Sequence, residues 1–135
     1  MPATPPPPVL LMVDDHAGMR ASLATWLAHM VPQCRLIEAA SGEAAVDLVR
    51  ATRIDLVLMD ISLPGISGIE ATRRISTDSP GTRVVMLTMH DGADYRAASE
   101  LAGARSFVSK AMMHRELPPV IRALLEDIAD GVGCA

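Results

Sequence analysis

The sequence predicts an α/β protein: a single-domain, doubly wound (βα)5 fold around a five-stranded parallel sheet. Three observations carry that reading. Five short runs rich in Leu, Val, Ile and Met recur along the 135 residues, nearly continuous rather than alternating with polar residues. Strands buried on both faces by crossover helices require that pattern. Amphipathic stretches with helical spacing separate the runs. Acidic residues stand just past the first and third runs, at the carboxyl ends of strands, where a doubly wound sheet has its working crevice.

The elements follow in order. Residues 1–8, ending in "PPPP", form a proline-rich lead expected to be extended and disordered. Val9–Val13 (VLLMV) is the first strand; Met19, Leu23, Trp26, Leu27 and Met30 then mark one helical face, with Trp26 expected in the core. Cys34–Ala39 is the second strand, and Ser41 caps a helix running to about Ala51. Asp55–Met59 is the third strand, followed by a capping box of Ser67 and Glu70 and a helix that stops before "DSPG". Arg83–Thr88 is the fourth strand, and the next helix ends at Gly103 as a C′ glycine. Arg105–Ser109 is the fifth strand. The last helix presents Leu117, Val120, Ile121, Leu124, Leu125 and Ile128, with Pro118 and Pro119 expected in its first turn, where a missing N–H costs little. The Met112–Met113 pair is read as packing at the base of that helix. The domain is expected to span 9–130, with 131–135 a tail or the start of a linker.

Composition excludes several functions. Aromatic residues are only 2% of the chain, so aliphatic side chains and nine methionines fill the core. A formal net charge of −4, with the basic residues scattered singly apart from Arg73–Arg74, argues against a nucleic-acid-gripping surface. Cys34 and Cys134 make neither a disulfide framework nor a metal spacing, and fit a reducing cytosol. Neither a signal peptide nor an apolar run long enough to span a membrane is expected.

Chemistry concentrates at the carboxyl ends of the strands. The first strand ends in Asp14–Asp15, the third in Asp60 and the fourth in Thr88, and Lys110 follows the fifth. Any one of these acids alone reads as a helix N-cap. Together, three crowded carboxylates repel one another unless a cation sits among them, and hard oxygen donors select Mg²⁺ or a similar ion. A carboxylate beside such an ion can attack a phosphoryl group and become an acyl phosphate. Transfer then needs mainly positioning and charge neutralisation, for which Lys110 and the Thr88 hydroxyl are suited. Asp60, alone at a central strand end, is the expected nucleophile.

The stretches "VDDH", "MDISLPGISGIE", "LTMH" and "GARSFVSKA" resemble the motifs of bacterial two-component response-regulator receiver domains, the flavodoxin-like fold of CheY-like proteins. The wording is most similar to the NarL/FixJ subfamily, which usually carries a LuxR-type helix-turn-helix output domain. The resemblance covers about Val9–Ala129. It implies that Asp60 is the phosphoacceptor, and that Asp15, Asp60 and the backbone carbonyl of Ser62 ligate Mg²⁺ with Asp14 behind them. Thr88 is then the switch hydroxyl, Lys110 the phosphate-binding lysine and Phe107 the rotating switch aromatic, with a plain core residue as the alternative for Phe107. Ser62 and His90 occupy positions that tune dephosphorylation, although an exposed loop histidine is the plainer reading of His90. The implied partners are a sensor histidine kinase, a homodimer formed on phosphorylation, and DNA only through an output domain that these residues do not encode. The sequence then reads as the receiver portion of a longer transcription regulator or, alternatively, as a stand-alone receiver.

One departure stands out. Most receivers place proline directly after the lysine, often with a cis peptide, whereas Ala111 stands here. A non-proline cis bond costs a few kcal/mol, so a trans bond or a rearranged loop is expected. Two other readings compete. A receiver-like interaction module that is never phosphorylated would keep the fold but not need the acid–Thr–Lys set. An aspartate-nucleophile phosphohydrolase of the haloacid-dehalogenase type would want a second Asp at position 62, where Ser62 stands, and more chain for a substrate cap.

Overall fold

The structure, a computed structural model, describes residues 6–89 and 93–130. His90, Cys134, most of the proline-rich lead and residues 131–135 lie outside the described residues.

Five strands, β1 (Val9–Val13), β2 (Arg35–Ala39), β3 (Leu56–Asp60), β4 (Arg83–Thr88) and β5 (Ser106–Ser109), form one parallel sheet in the order β2-β1-β3-β4-β5. They alternate with α1 (Ala17–Met30), α2 (Gly42–Ala51), α3 (Gly68–Asp78), α4 (Ala93–Ala102) and α5 (Met113–Asp130). Every residue of β3 and β4 is buried. Their side chains divide by parity into two cores, as the pleat requires. Leu11, Val13, Val57, Met59, Val84, Met86 and Phe107 face α2 and α3. Leu10, Met12, Leu56, Leu58, Val85, Leu87 and Val108 face α1 and α5. The order reverses at β1, which places a crevice between the ends of β1 and β3.

Local chemistry ends the helices where the sequence predicts. The Ser41 side chain accepts from the Ala44 N–H and that of Ser67 from the Glu70 N–H. Gly103 adopts φ +109°, and the N–H groups of Gly103 and Ala104 donate to the carbonyls of Glu100 and Ser99, a Schellman closure of α4.

Some expectations change. The box at Ser67 is half formed, because the Glu70 carboxylate turns to Arg73 and Arg74 one helical turn on. α3 runs one residue further than expected, through Asp78. β2 and β5 each begin one residue later, at Arg35 and Ser106, and β3 is shifted by one to Leu56–Asp60. α5 begins at Met113, so Pro118 and Pro119 lie inside it rather than in its first turn. Met113 and Leu117, four apart, join the same core and extend the helix upstream of the prolines. Leu23 and Leu27 are buried on α1, but Met19 is exposed and Trp26 only half-buried against that core. Met113 packs inward while Met112 stays exposed.

Gly68, the first residue of α3, fixes how closely that helix approaches β3. Its N–H donates to the Ile61 carbonyl at 3.0 Å. A Cβ there would stand 2.0 Å from the Asp60 carbonyl oxygen and 2.8 Å from Ile61 Cα, both rigid backbone. Gly68→Ala is therefore expected to lose about 2–3 kcal/mol of stability in urea unfolding, the upper range for overpacking, despite alanine's better helix propensity.

Candidate functional site

The ends of β1, β3, β4 and β5 meet at one edge of the sheet. Asp14 follows β1, Asp60 ends β3, Thr88 ends β4, and Lys110 follows β5. The Asp60 register partner on β4 is Leu87, so Thr88 stands one residue further along, opposite Ser109 of β5.

Lys110 ties this edge together. Its Nζ donates to Asp60 Oδ2 at 3.1 Å and to Asp14 Oδ2 at 3.2 Å. It is the only lysine in the chain. All three groups are largely buried, with side-chain exposures of 11% for Lys110, 7% for Asp60 and 3% for Asp14. A three-residue 3-10 turn, Lys110–Met112, aims the side chain; the Ser109 hydroxyl caps it by accepting from the Ala111 N–H at 3.2 Å. The Lys110–Ala111 peptide is trans.

The remaining oxygens are also engaged. Asp60 Oδ1 accepts from the Ser62 N–H at 3.1 Å, and Asp14 Oδ1 from the His16 N–H at 2.8 Å. Burial pushes the Asp60 carboxyl above the ordinary carboxylate range, and the Asp14 charge adds to that; Lys110 and the Ser62 N–H only partly offset it. For Lys110, burial works against the ammonium, but attraction and hydrogen bonds from Asp60 and Asp14 prevail and leave its pKa above the usual value.

Asp15 points to the wetter side of the site. Its carboxylate lies 3.3 Å from His16 Nδ1, and one ligand atom from each of Asp14, Asp15 and His16 falls within 4.8 Å of the others. His16 was not singled out in the sequence; its place in "VDDH", as the N-cap of α1, was the available signal. Arg20 was also missed: it donates to the Asp14 carbonyl at 2.6 Å and to Glu38 at 3.0 Å, pinning the loop after β1.

Of the residues expected at the site, Asp14, Asp60 and Lys110 are in direct contact, and Ser62 joins them through its N–H. Thr88 is fully buried at the same edge. Phe107 lies in the core two residues before the end of β5, 9% exposed, with the Arg96 guanidinium 4.8 Å from its ring centroid. An apolar cleft of about 320 Å³, walled by Met19, Leu23, Trp26, Met89 and Met113, opens beside Lys110.

The three-way contact assigns opposite signs to its members. Without divalent cations, Lys110→Met leaves two buried carboxylates unpaired and is expected to lose about 3 kcal/mol. Asp60→Asn, which removes a carboxylate that burial penalises, is expected to stabilise the chain. Urea unfolding of both variants at pH 7 in a chelator measures the two signs.

A sequence profile described as the response regulator receiver domain matches residues 10–122. The response regulator UvrY of Escherichia coli is 38% identical over 115 residues, covering 85% of this chain and 53% of that protein. The chain thus spans about half the length of the relatives it matches. A LuxR-family two-component response regulator from Aurantimonas superposes with a TM-score of 0.82 at 35% identity, covering 87% of this chain and 84% of the other. The response regulator TrrA of Thermotoga maritima, solved with Mg²⁺ and BeF, gives 0.77 at 30% identity, covering 87% and 98%.

Proposed function

Because this chain belongs to the response regulator receiver domain family, we propose that Asp60 is its phosphoacceptor, loaded by a sensor histidine kinase in the bacterial cytoplasm. The observation that carries the assignment is the Lys110 ammonium held between Asp60 and Asp14 at 3.1 and 3.2 Å in a largely buried site. A lysine so placed can follow charge onto a new phosphoryl oxygen without leaving its position.

The acids fit a divalent cation. Asp14, Asp15 and Asp60 bring three carboxylates to the edge against the single Lys110 ammonium, and Asp15 keeps a solvent-facing side where a small hard ion can retain waters. Asp15, Asp60 and the Ser62 carbonyl would hold Mg²⁺, with Asp14 behind them. His16, the imidazole in the same group, suits softer metals better than Mg²⁺. The bound ion supplies neutralisation of the equatorial phosphoryl oxygens.

The chain's own residues do the rest. An Asp60 carboxylate oxygen forms a bond to phosphorus while the bond from phosphorus to the donor's imidazole nitrogen breaks, the electron pair leaving with the imidazole. Lys110 transfers its hydrogen bond to a phosphoryl oxygen. The Thr88 hydroxyl turns toward the phosphate, and Phe107 moves into the space vacated beneath the loop after β4. The surface of α4, β5 and α5 then changes, which alters a protein contact: dimerisation or control of an output domain. A transcriptional output agrees with the LuxR-family likeness, and Ser62 and His90 would set how long the acyl phosphate lasts. By helping to assemble and hydrolyse that group the chain acts on itself, not on a separate substrate.

Intact-mass analysis after incubation with acetyl phosphate tests this reading. One Mg²⁺-dependent phosphoryl adduct is expected on the parent chain, and none on Asp60→Asn or in chelator. A folded parent chain with no adduct would instead make it an interaction module, and turnover of a simple phosphate ester would make it a phosphohydrolase.

A further inference from the structure

Of the three acids at the edge, Asp15 has the least to hold it. Among the described residues its carboxylate meets only the His16 ring, at 3.3 Å, and its side chain is 29% exposed. Asp14 is held at every polar group. Its N–H donates to the Ala39 carbonyl at 3.2 Å, its Oδ1 accepts from the His16 N–H and its Oδ2 from Lys110. Its carbonyl accepts from Arg20 Nη1 at 2.6 Å, a short bond from a charged donor. That last bond bears on Asp15, because the Asp14 carbonyl and the Asp15 N–H and Cα belong to one rigid peptide plane. Fixing the carbonyl fixes the plane from which the Asp15 side chain leaves the backbone.

Arg20 is itself held from a second element. It stands on α1, and its Nε donates to Glu38 Oε1 on β2 at 3.0 Å, so the pair ties the helix to the edge strand beside β1. Both donor nitrogens belong to one planar group, so seating Nε on Glu38 sets the direction of Nη1. The Glu38 side chain is 45% exposed, and a pair with one partner this wet contributes little stability of its own. Its contribution is direction. The two charges also cancel, so Arg20 leaves the surplus negative charge of the three carboxylates unmet.

We propose that Arg20 is a positioning residue for the divalent cation: anchored by Glu38, it orients the Asp14–Asp15 peptide and so presents the Asp15 carboxylate to the ion. This rests on the reading above, in which Asp15 and Asp60 ligate Mg²⁺. Losing the support behind a ligating group weakens metal binding by about tenfold or more. Charge acting alone would do the reverse, because removing a cation near three carboxylates favours Mg²⁺.

The test compares the full parent chain with Arg20→Met, Glu38→Ala and Glu38→Gln by amide NMR, first in chelator and then titrated with Mg²⁺. In chelator, relaxation at the Asp15 and His16 amides is expected to show added mobility in Arg20→Met and Glu38→Ala, while the Ser62 amide relaxes as in the parent. Half-saturation with Mg²⁺, read at Ser62, is expected to need about tenfold more ion in Arg20→Met, with Glu38→Ala moving in the same direction. Glu38→Gln removes the charge but keeps an acceptor for Nε, and is expected to bind as the parent does. Tighter binding in Arg20→Met, or equal weakening in both Glu38 variants, overturns the proposal, as does parental relaxation at Asp15 and His16 in Arg20→Met. A parent chain that takes no Mg²⁺ overturns the metal reading and this proposal with it, whereas a parent that binds and variants that bind equally well overturn the proposal alone. Should Arg20→Met fail to fold, the two Glu38 variants decide.

Discussion

The rest of the molecule is arranged around one lysine shared by two buried carboxylates. Lys110 leaves the sheet after β5, yet its ammonium reaches past the end of β4 to Asp60 on β3 and Asp14 beyond β1. That reach demands a strand order in which β1 and β3 are neighbours and β5 lies at the edge. It also demands a defined exit from β5, which the Ser109 hydroxyl and the short 3-10 turn supply. α3 must pack closely enough to seat the Ser62 N–H on Asp60, and Gly68 permits that approach. The two cores, divided by strand parity, hold these ends in register.

Much of this was legible in the sequence because its signals are one-dimensional. A run such as Leu-Val-Leu-Met ending in Asp60 states both burial and the place where it stops. Caps at Ser41 and Ser67 and the glycine at 103 act through neighbours in the chain, and the structure contains all three. Depth is a different quantity. Helical spacing put Met19, Trp26 and Leu27 on one face, but α1 buries only Leu23 and Leu27 fully; Met19, near the start of the helix, is exposed, and Trp26, at the edge of the face, packs against His114. Pro118 and Pro119 were assigned to a first turn because proline is tolerated there. Packing of Met113 and Leu117 on the core outweighs the two lost N–H groups. Arg83 had no signal at all. An arginine opening an apolar strand reads as a side chain with its head in water, and only the three-dimensional fold shows that the head is enclosed.

The alanine after Lys110 shows how a departure from a family pattern can be absorbed locally. A proline at that position would fix the turn through its ring but offer no N–H. Ala111 has one, and donates it to Ser109 Oγ. The loop is thus held by a hydrogen bond from the preceding serine, with a trans peptide, and Lys110 still arrives between its two acids. The substitution changes the means of fixing the turn and leaves its product in place.

Charge balance sets this edge apart from a self-contained buried ion pair. Asp14, Asp15 and Asp60 carry three negative charges and Lys110 one positive, so the cluster is two charges short of neutral, a deficit that a divalent cation would make up. Burial already lifts the Asp60 carboxyl out of its ordinary range although Lys110 is in contact with it. A buried pair with good geometry would be self-sufficient; here one ammonium is divided between two acids and satisfies neither completely. On the proposed reading, a phosphoryl group on Asp60 would shift the balance again and offer the lysine a phosphoryl oxygen within its present reach. The imbalance of the resting arrangement lies in its charges and not in its backbone, for among the described residues only glycines adopt positive φ.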